Sequence, residues 1–163
     1  MLLNIIRYPN PILRKKCKAI KKVDDGIRQL IKDMIETMQA APGVGLAAPQ
    51  VGKNIRLIVV DAGEGAFSLI NPKVKKKSGS QEFEEGCLCF PGLLGPVERA
   101  SYVFVTGLDK NGEPVSIEAE GFAATILQHE IDHLDGKLFV DRVKDKNAIR
   151  MVTPHEEEKE ELI

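Results

Sequence analysis

The stretch FAATILQHEIDHLD, residues 122–135, reads as a helix whose apolar residues wrap most of the way round. At 3.6 residues per turn, Phe122 and Ile126 share one face, and Ala123, Leu127, Ile131 and Leu134 share another. Gln128, Asp132 and Asp135 are left for the third. So broad an apolar arc belongs to a helix surrounded by protein rather than to one lying on a surface. Gly136 follows where a left-handed cap ends such a helix. The rest of the chain must therefore supply walls around it.

The neighbouring segments supply strands. YVFVTGL and PVSIEAE flank DKNGE over 102–120, and Asn111-Gly112 offers the positive backbone angles of a tight hairpin turn. Upstream, IRLIVVD (55–61) is a β-branched run typical of a buried strand. FSLINP (67–72) is a second strand, stopped by Asn71-Pro72. The basic residues 73–80 read as a solvated loop or edge. DDGIRQLIKDMIETMQAA (24–41) is the other helix: Ile27, Leu30, Ile31, Met34, Ile35 and Met38 fall at helical spacing, Asp24 or Asp25 can cap it, and Pro42 ends it. The expectation is an α+β fold, with antiparallel or mixed β-sheets packed around a central buried helix.

At 163 residues the chain fits one domain, which commonly spans roughly 100–200 residues. We expect residues 1–163 to form a single catalytic domain, with 154–163 (TPHEEEKEELI from 153) as a frayed, charged tail and His155 solvated. Twenty-three basic against twenty-four acidic side chains argue against binding nucleic acid or membrane through bulk charge. No stretch approaches the ~20 apolar residues of a membrane span, and MLLNIIRYPNP makes a poor signal peptide. Three cysteines, Cys17, Cys87 and Cys89, are too few and odd for a disulfide framework. A reducing, cytoplasmic setting is expected.

The buried helix carries chemistry as well as packing. Residues 129–133 read HEIDH, and positions i and i+4 project to one side, so His129 and His133 can hold one metal ion together. Both continue the face begun by Phe122 and Ile126, where two buried imidazoles are costly unless they share a partner. Glu130 sits about 100° round the helix from His129, able to take a proton from a water that a divalent ion has acidified toward pKa ~7.

Two histidines leave the site incomplete, and EGCLCFPG (85–92) offers thiols at Cys87 and Cys89. A closed structural zinc site would use both. In an extended segment residues two apart lie about 6.6 Å from one another, whereas two sulfurs on one tetrahedral ion must converge to just under about 4 Å. The backbone would have to bend for that, and a closed site would leave Glu130 without a water. This geometry favours one cysteine over two and does not say which.

GVGLAAPQ (43–50), EGCLCFPG (85–92) and QHEIDH (128–133), in that order and spacing, resemble the three signature motifs of the peptide deformylase family. The similarity runs from RYPNPILR near the start to GKLFVDR at 136–142. The resemblance implies a metal-dependent hydrolase that removes the N-terminal formyl group from newly made proteins, giving formate and a free methionine amine. It implies Cys87, His129 and His133 as metal ligands, Glu130 as catalytic base, and Gln50 with the Leu88 N–H as donors to the formyl oxygen. One divalent ion is implied, ferrous iron natively, with zinc or nickel able to replace it. The substrates would be formyl-methionyl nascent peptides, the ribosome is a candidate partner, and a monomer is expected.

The family usually has serine where this chain has Cys89. Gly43 and Gly45 leave backbone uncovered, so that a peptide can pair there as an added strand. Val44, Phe122 and Ile126 are candidate lining for a methionine pocket, with plain core packing as the alternative. A general zinc peptidase leaves GLAAPQ and CLCFP without a role, and the intact Glu130 and Gln50 speak against a non-catalytic binding module.

Overall fold

The computed structural model describes residues 1–152 and residue 163; His155 and the rest of 153–162 lie outside the described residues. Asp24 caps helix α1 (Asp25–Ala40) by accepting the Ile27 N–H on its side chain, and Ile31, Met34 and Met38 are buried along the expected stripe. The chain then forms strand β1 (Gly45–Ala47), a 3-10 turn over Ala48–Val51, and strand β2 (Leu57–Val60).

Strand β3 (Phe67–Ser78) is longer than expected. Asn71-Pro72 does not stop it. Asn71 takes a positive φ of 52°, and the pairing with strand β6 (Tyr102–Leu108) shifts register between Ile70 and Lys73. A bulge needs no ladder N–H from Pro72, so the proline is tolerated there. Asn71 is held in place by its side chain, which accepts from the Ile20 N–H and donates to the Ile20 carbonyl. The basic residues 73–78 thus continue the strand, paired on the β6 side.

Strands β4 (Gln81–Cys87) and β5 (Phe90–Arg99) form a hairpin, as do β6 and β7 (Pro114–Glu120). The second hairpin turn is wider than the two-residue turn that Asn-Gly suggests. Asp109 accepts the N–H groups of Asn111 and Glu113 on one carboxylate oxygen, and only Gly112 takes a positive φ. The central helix, α2, covers Gly121–Leu134. Gly136 follows it at φ 73°, as a left-handed cap requires. Helix α3 (Phe139–Arg142) and strand β8 (Arg150–Met151) complete the described elements.

The strands form a five-stranded sheet in the order β1-β2-β3-β6-β7 and a three-stranded sheet β4-β5-β8. Among the described residues every strand pair is antiparallel. Helix α2 packs against strands of both sheets, and nine of its residues are buried, among them His129, Glu130 and His133. This is the α+β arrangement around a buried helix that its wide apolar arc predicts. Ile163 departs from the frayed-tail expectation: it is fully buried and belongs to the same apolar cluster as Ile126, Leu127 and Ile131.

Candidate active site

Alternation along β4 turns Phe83, Glu85 and Cys87 to one side. Phe83 meets Phe122 of α2 edge to face, with ring centroids 5.3 Å apart. At the end of the strand the chain reverses over Leu88 and Cys89, and Cys87 pairs with Phe90. The backbone therefore does bend here, and the expectation that extended geometry separates the two thiols fails. Their sulfurs stand 3.0 Å apart.

Helix α2 brings its motif to the same place. His133 Nε2 lies 3.4 Å from Cys87 Sγ. His129, Glu130 and His133 offer ligand atoms all within 4.8 Å of one another, and so do Cys87, Cys89 and His133. From the turn after β1, Gln50 arrives fully buried. Its Oε1 accepts the Ala47 N–H, which fixes the amide so that Nε2 donates toward Cys87 Sγ at 3.4 Å. Gln50, His129, Glu130 and His133 thus gather around one point next to Cys87.

Several buried atoms in this cluster have no hydrogen-bond partner among the described residues: His129 Nε2, His133 Nδ1 and both Glu130 carboxylate oxygens. Leaving a buried polar atom unpaired costs about 1–3 kcal/mol, and folded proteins rarely accumulate several in one spot. Two imidazoles, a thiol and an adjacent carboxylate are donors that suit a divalent transition metal with one position open. The residues fit such an ion.

Electrostatics tune the same groups. Burial pushes the Glu130 carboxyl up to about 7, helped by Glu85 and opposed by His129 and Arg99. That is the range in which a carboxylate serves as a base near neutrality. Burial also drives His133 well below the usual histidine range, leaving a neutral imidazole. For His129 burial opposes the charge, but Cys87 and Glu85 favour it and raise the pKa to about 10; a metal ion at Nε2 would take the place of that proton.

Glu85 escaped the sequence reading. Its carboxylate accepts from His129 Nδ1 at 2.7 Å and from Arg99 at 2.7 and 3.0 Å. Arg99 also reaches Asp132, which Arg142 engages from α3. Tied at Nδ1, the His129 ring presents Nε2 to the site. The available signal was strand alternation, since an acid two residues before Cys87 must share its face.

The candidate substrate residues divide. β1 is an edge strand of its sheet, and β4 is an edge strand of the other, so peptide backbone can be added at either. The Gly43 N–H, however, is spent on the Met38 carbonyl, and the Val44 carbonyl on the Asp61 N–H. Gly45 is glycine for a further reason: a Cβ there would lie 2.9 Å from Glu130 Cδ, closer than atoms tolerate. Ile126 is fully buried in the core, whereas Val44 and Phe122 are half-buried against the same cluster. Ile163 meets the β4 edge: its N–H donates to Gly86 at 3.4 Å, and its carbonyl accepts the Leu88 N–H at 3.2 Å.

Residues 2–148 match the sequence profile of the polypeptide deformylase family. The chain belongs to that family. A deformylase from Symbiobacterium thermophilum is 50% identical over 98% of this chain and 74% of its own length. One from Clostridium botulinum is 50% identical over 89% of this chain and 99% of its own. The crystal structure of the Thermotoga maritima deformylase superposes with a TM-score of 0.87 at 41% identity, covering 89% of this chain and 99% of that one. A Synechococcus elongatus deformylase, solved in complex with actinonin, gives 0.87 at 43% identity over 90% of this chain and 81% of that one. As a deformylase the chain is a metal-dependent hydrolase. Among the described residues no helix is long and apolar enough to cross a membrane.

Proposed function

We propose that this chain removes the formyl group from the N-terminal formyl-methionine of newly synthesised proteins by using Cys87, His129 and His133 to hold one divalent ion and Glu130 to move the proton. The observation that carries this reading is the set of unpartnered buried atoms, His129 Nε2 and the Glu130 carboxylate among them, gathered beside the Cys87 thiol. Cys87 is preferred to Cys89 because its sulfur faces both His133 and Gln50 and because it matches the family's ligand cysteine. Ferrous iron is the native metal in this reading, with zinc or nickel as substitutes, since thiolate and imidazole donors suit all three.

When bound, the ion supplies a Lewis acid that activates water and polarises the formyl oxygen. Glu130, with a carboxyl poised near pH 7, accepts a proton from the attacking water and returns it to the departing methionine amine. The Gln50 amide, held by the Ala47 N–H, keeps a second amide hydrogen free for the developing oxyanion. The Leu88 N–H is the other donor. It is engaged by the Ile163 carbonyl, so substrate must displace that contact. Glu85 positions His129 and does not touch the reacting atoms.

The peptide adds at the β1 edge, and the space by Val44, Phe83 and Phe122 receives the methionine side chain. The chain works as a single-domain monomer in the cytoplasm on nascent peptides, with the ribosome as its source of substrate. The test is formate release from a formyl-methionyl peptide by protein loaded anaerobically with ferrous iron, beside Glu130→Gln. Formate from the parent and little from the variant is the expected result. No formate from the parent would overturn the reading.

A further inference from the structure

The Cys87–Cys89 pair has no part for its second thiol in deformylation. Cys89 is 1% exposed, as is Cys87, and both lie in the apolar cluster with Leu13, Leu138 and Phe139. The reversal over Leu88 and Cys89 brings their sulfurs to 3.0 Å. A disulfide requires about 2.05 Å, so the two sulfurs stand about 1 Å beyond bonding distance. Cys17, the only other cysteine, belongs to a different cluster and gives its backbone N–H to Leu134.

We propose that Cys87 and Cys89 form a reversible disulfide under peroxide, with Cys89 acting as the resolving thiol that spares Cys87 from permanent oxidation. The steps balance. Cys87, as the thiolate, attacks hydrogen peroxide and breaks the O–O bond; the sulfur becomes a sulfenic acid, and the departing hydroxide takes up the thiol proton to leave as water. Cys89 sulfur then displaces the sulfenic hydroxyl, which leaves as a second water, and the S–S bond forms. In sum two thiols and one peroxide give one disulfide and two waters. Without a neighbouring thiol the sulfenic acid proceeds to sulfinic and sulfonic acids, which ordinary thiols do not reduce. Burial disfavours capture by another protein's cysteine, which leaves Cys89 as the nearest partner. A reducing thiol reopens the pair by exchange.

The disulfide is argued from the proximity of the two sulfurs. That it expels metal rests on reading Cys87 as a ligand, because an oxidised sulfur no longer offers a thiolate. The experiment uses full-length protein loaded with zinc, which avoids radical chemistry between iron and peroxide. After hydrogen peroxide treatment, free thiols are alkylated in denaturant, the mass is measured, and zinc release is followed with a chromogenic chelator.

The expected product has lost two hydrogens. It carries the link between Cys87 and Cys89 on peptide mapping, leaves Cys17 alkylated, and regains both its mass and zinc binding after dithiothreitol and added zinc. Cys89→Ser and Cys89→Ala bind zinc before treatment but gain oxygen on Cys87 and do not recover. Oxygen adducts on Cys87 in the parent, parent thiols that all remain alkylatable, or full recovery of both variants would each overturn the proposal. A disulfide formed without zinc release would support it and remove Cys87 from the ligand set.

Discussion

At the scale of single residues, the site depends on groups that are costly to bury and are held in place by one or two contacts each. Glu130 is fully buried, and neither of its carboxylate oxygens has a partner among the described residues. On the proposed role of Glu130 as base, replacing it with glutamine keeps its shape and removes the proton acceptor, so kcat should fall by about 10²–10⁴-fold while metal content by elemental analysis stays unchanged. Gly45→Ala works through the same carboxylate. The added methyl would press on Glu130, whose Cδ is 2.9 Å from the Cβ position. If Glu130 has the proposed role, its displacement by an ångström should lower the rate by on the order of 10²-fold, which steady-state kinetics at an unchanged circular dichroism spectrum would register. Glu85→Gln loses the charge that orients His129 and offsets Arg99. Metal affinity should drop roughly 10–100-fold, as measured by competition with a chelator of known affinity.

Among elements, the decisive relation is between two sheet edges and one helix. β1 and β4 are each the edge strand of a sheet, and α2 packs against strands of both sheets, so its motif lies next to the turn after β4. Ile163 uses part of this arrangement, giving and taking backbone hydrogen bonds with Gly86 and Leu88. If Leu88 N–H binds the formyl oxygen, Ile163 competes with substrate. Ile163→Asp, which is poorly suited to a fully buried place, should therefore lower KM with kcat nearly unchanged. Tenfold corresponds to about 1.4 kcal/mol of lost competition. An unaltered KM would mean that substrate and Ile163 do not share the donor.

For the molecule as a whole, the unpartnered atoms in the site imply that metal is part of folding stability. An ion that binds only the folded state at about a hundred times its Kd adds about 2.7 kcal/mol. For a domain of this size that raises Tm by roughly 5–10 °C. Calorimetry of chelated and metal-loaded protein checks this; coincident transitions would contradict the metal site itself. The Glu85–Arg99–Asp132–Arg142 network acts at the same scale, joining β4, β5, α2 and α3 through ion pairs with little exposed surface on Arg99 and Glu85.

What the amino-acid sequence determined alone is whatever helical or strand geometry dictates between near neighbours. The α2 span, its burial and the common side of His129 and His133 follow from a period of 3.6 residues, and α1 with its Asp24 cap follows from spacing and capping chemistry. Family motifs added the identity of Cys87, Gln50 and Leu88 as candidates. Other relations were decided only by tertiary structure, because they join residues far apart in the chain or depend on how a turn closes. Gln50 meets Cys87 across 37 positions, and Glu85 meets His129 across 44. β3 runs past Pro72 because a bulge excuses the missing N–H. Extended geometry predicts separated thiols at Cys87 and Cys89, but the reversal over Leu88 and Cys89 brings them together. Local periodicity carries no information about that reversal, which the pairing of Cys87 with Phe90 imposes.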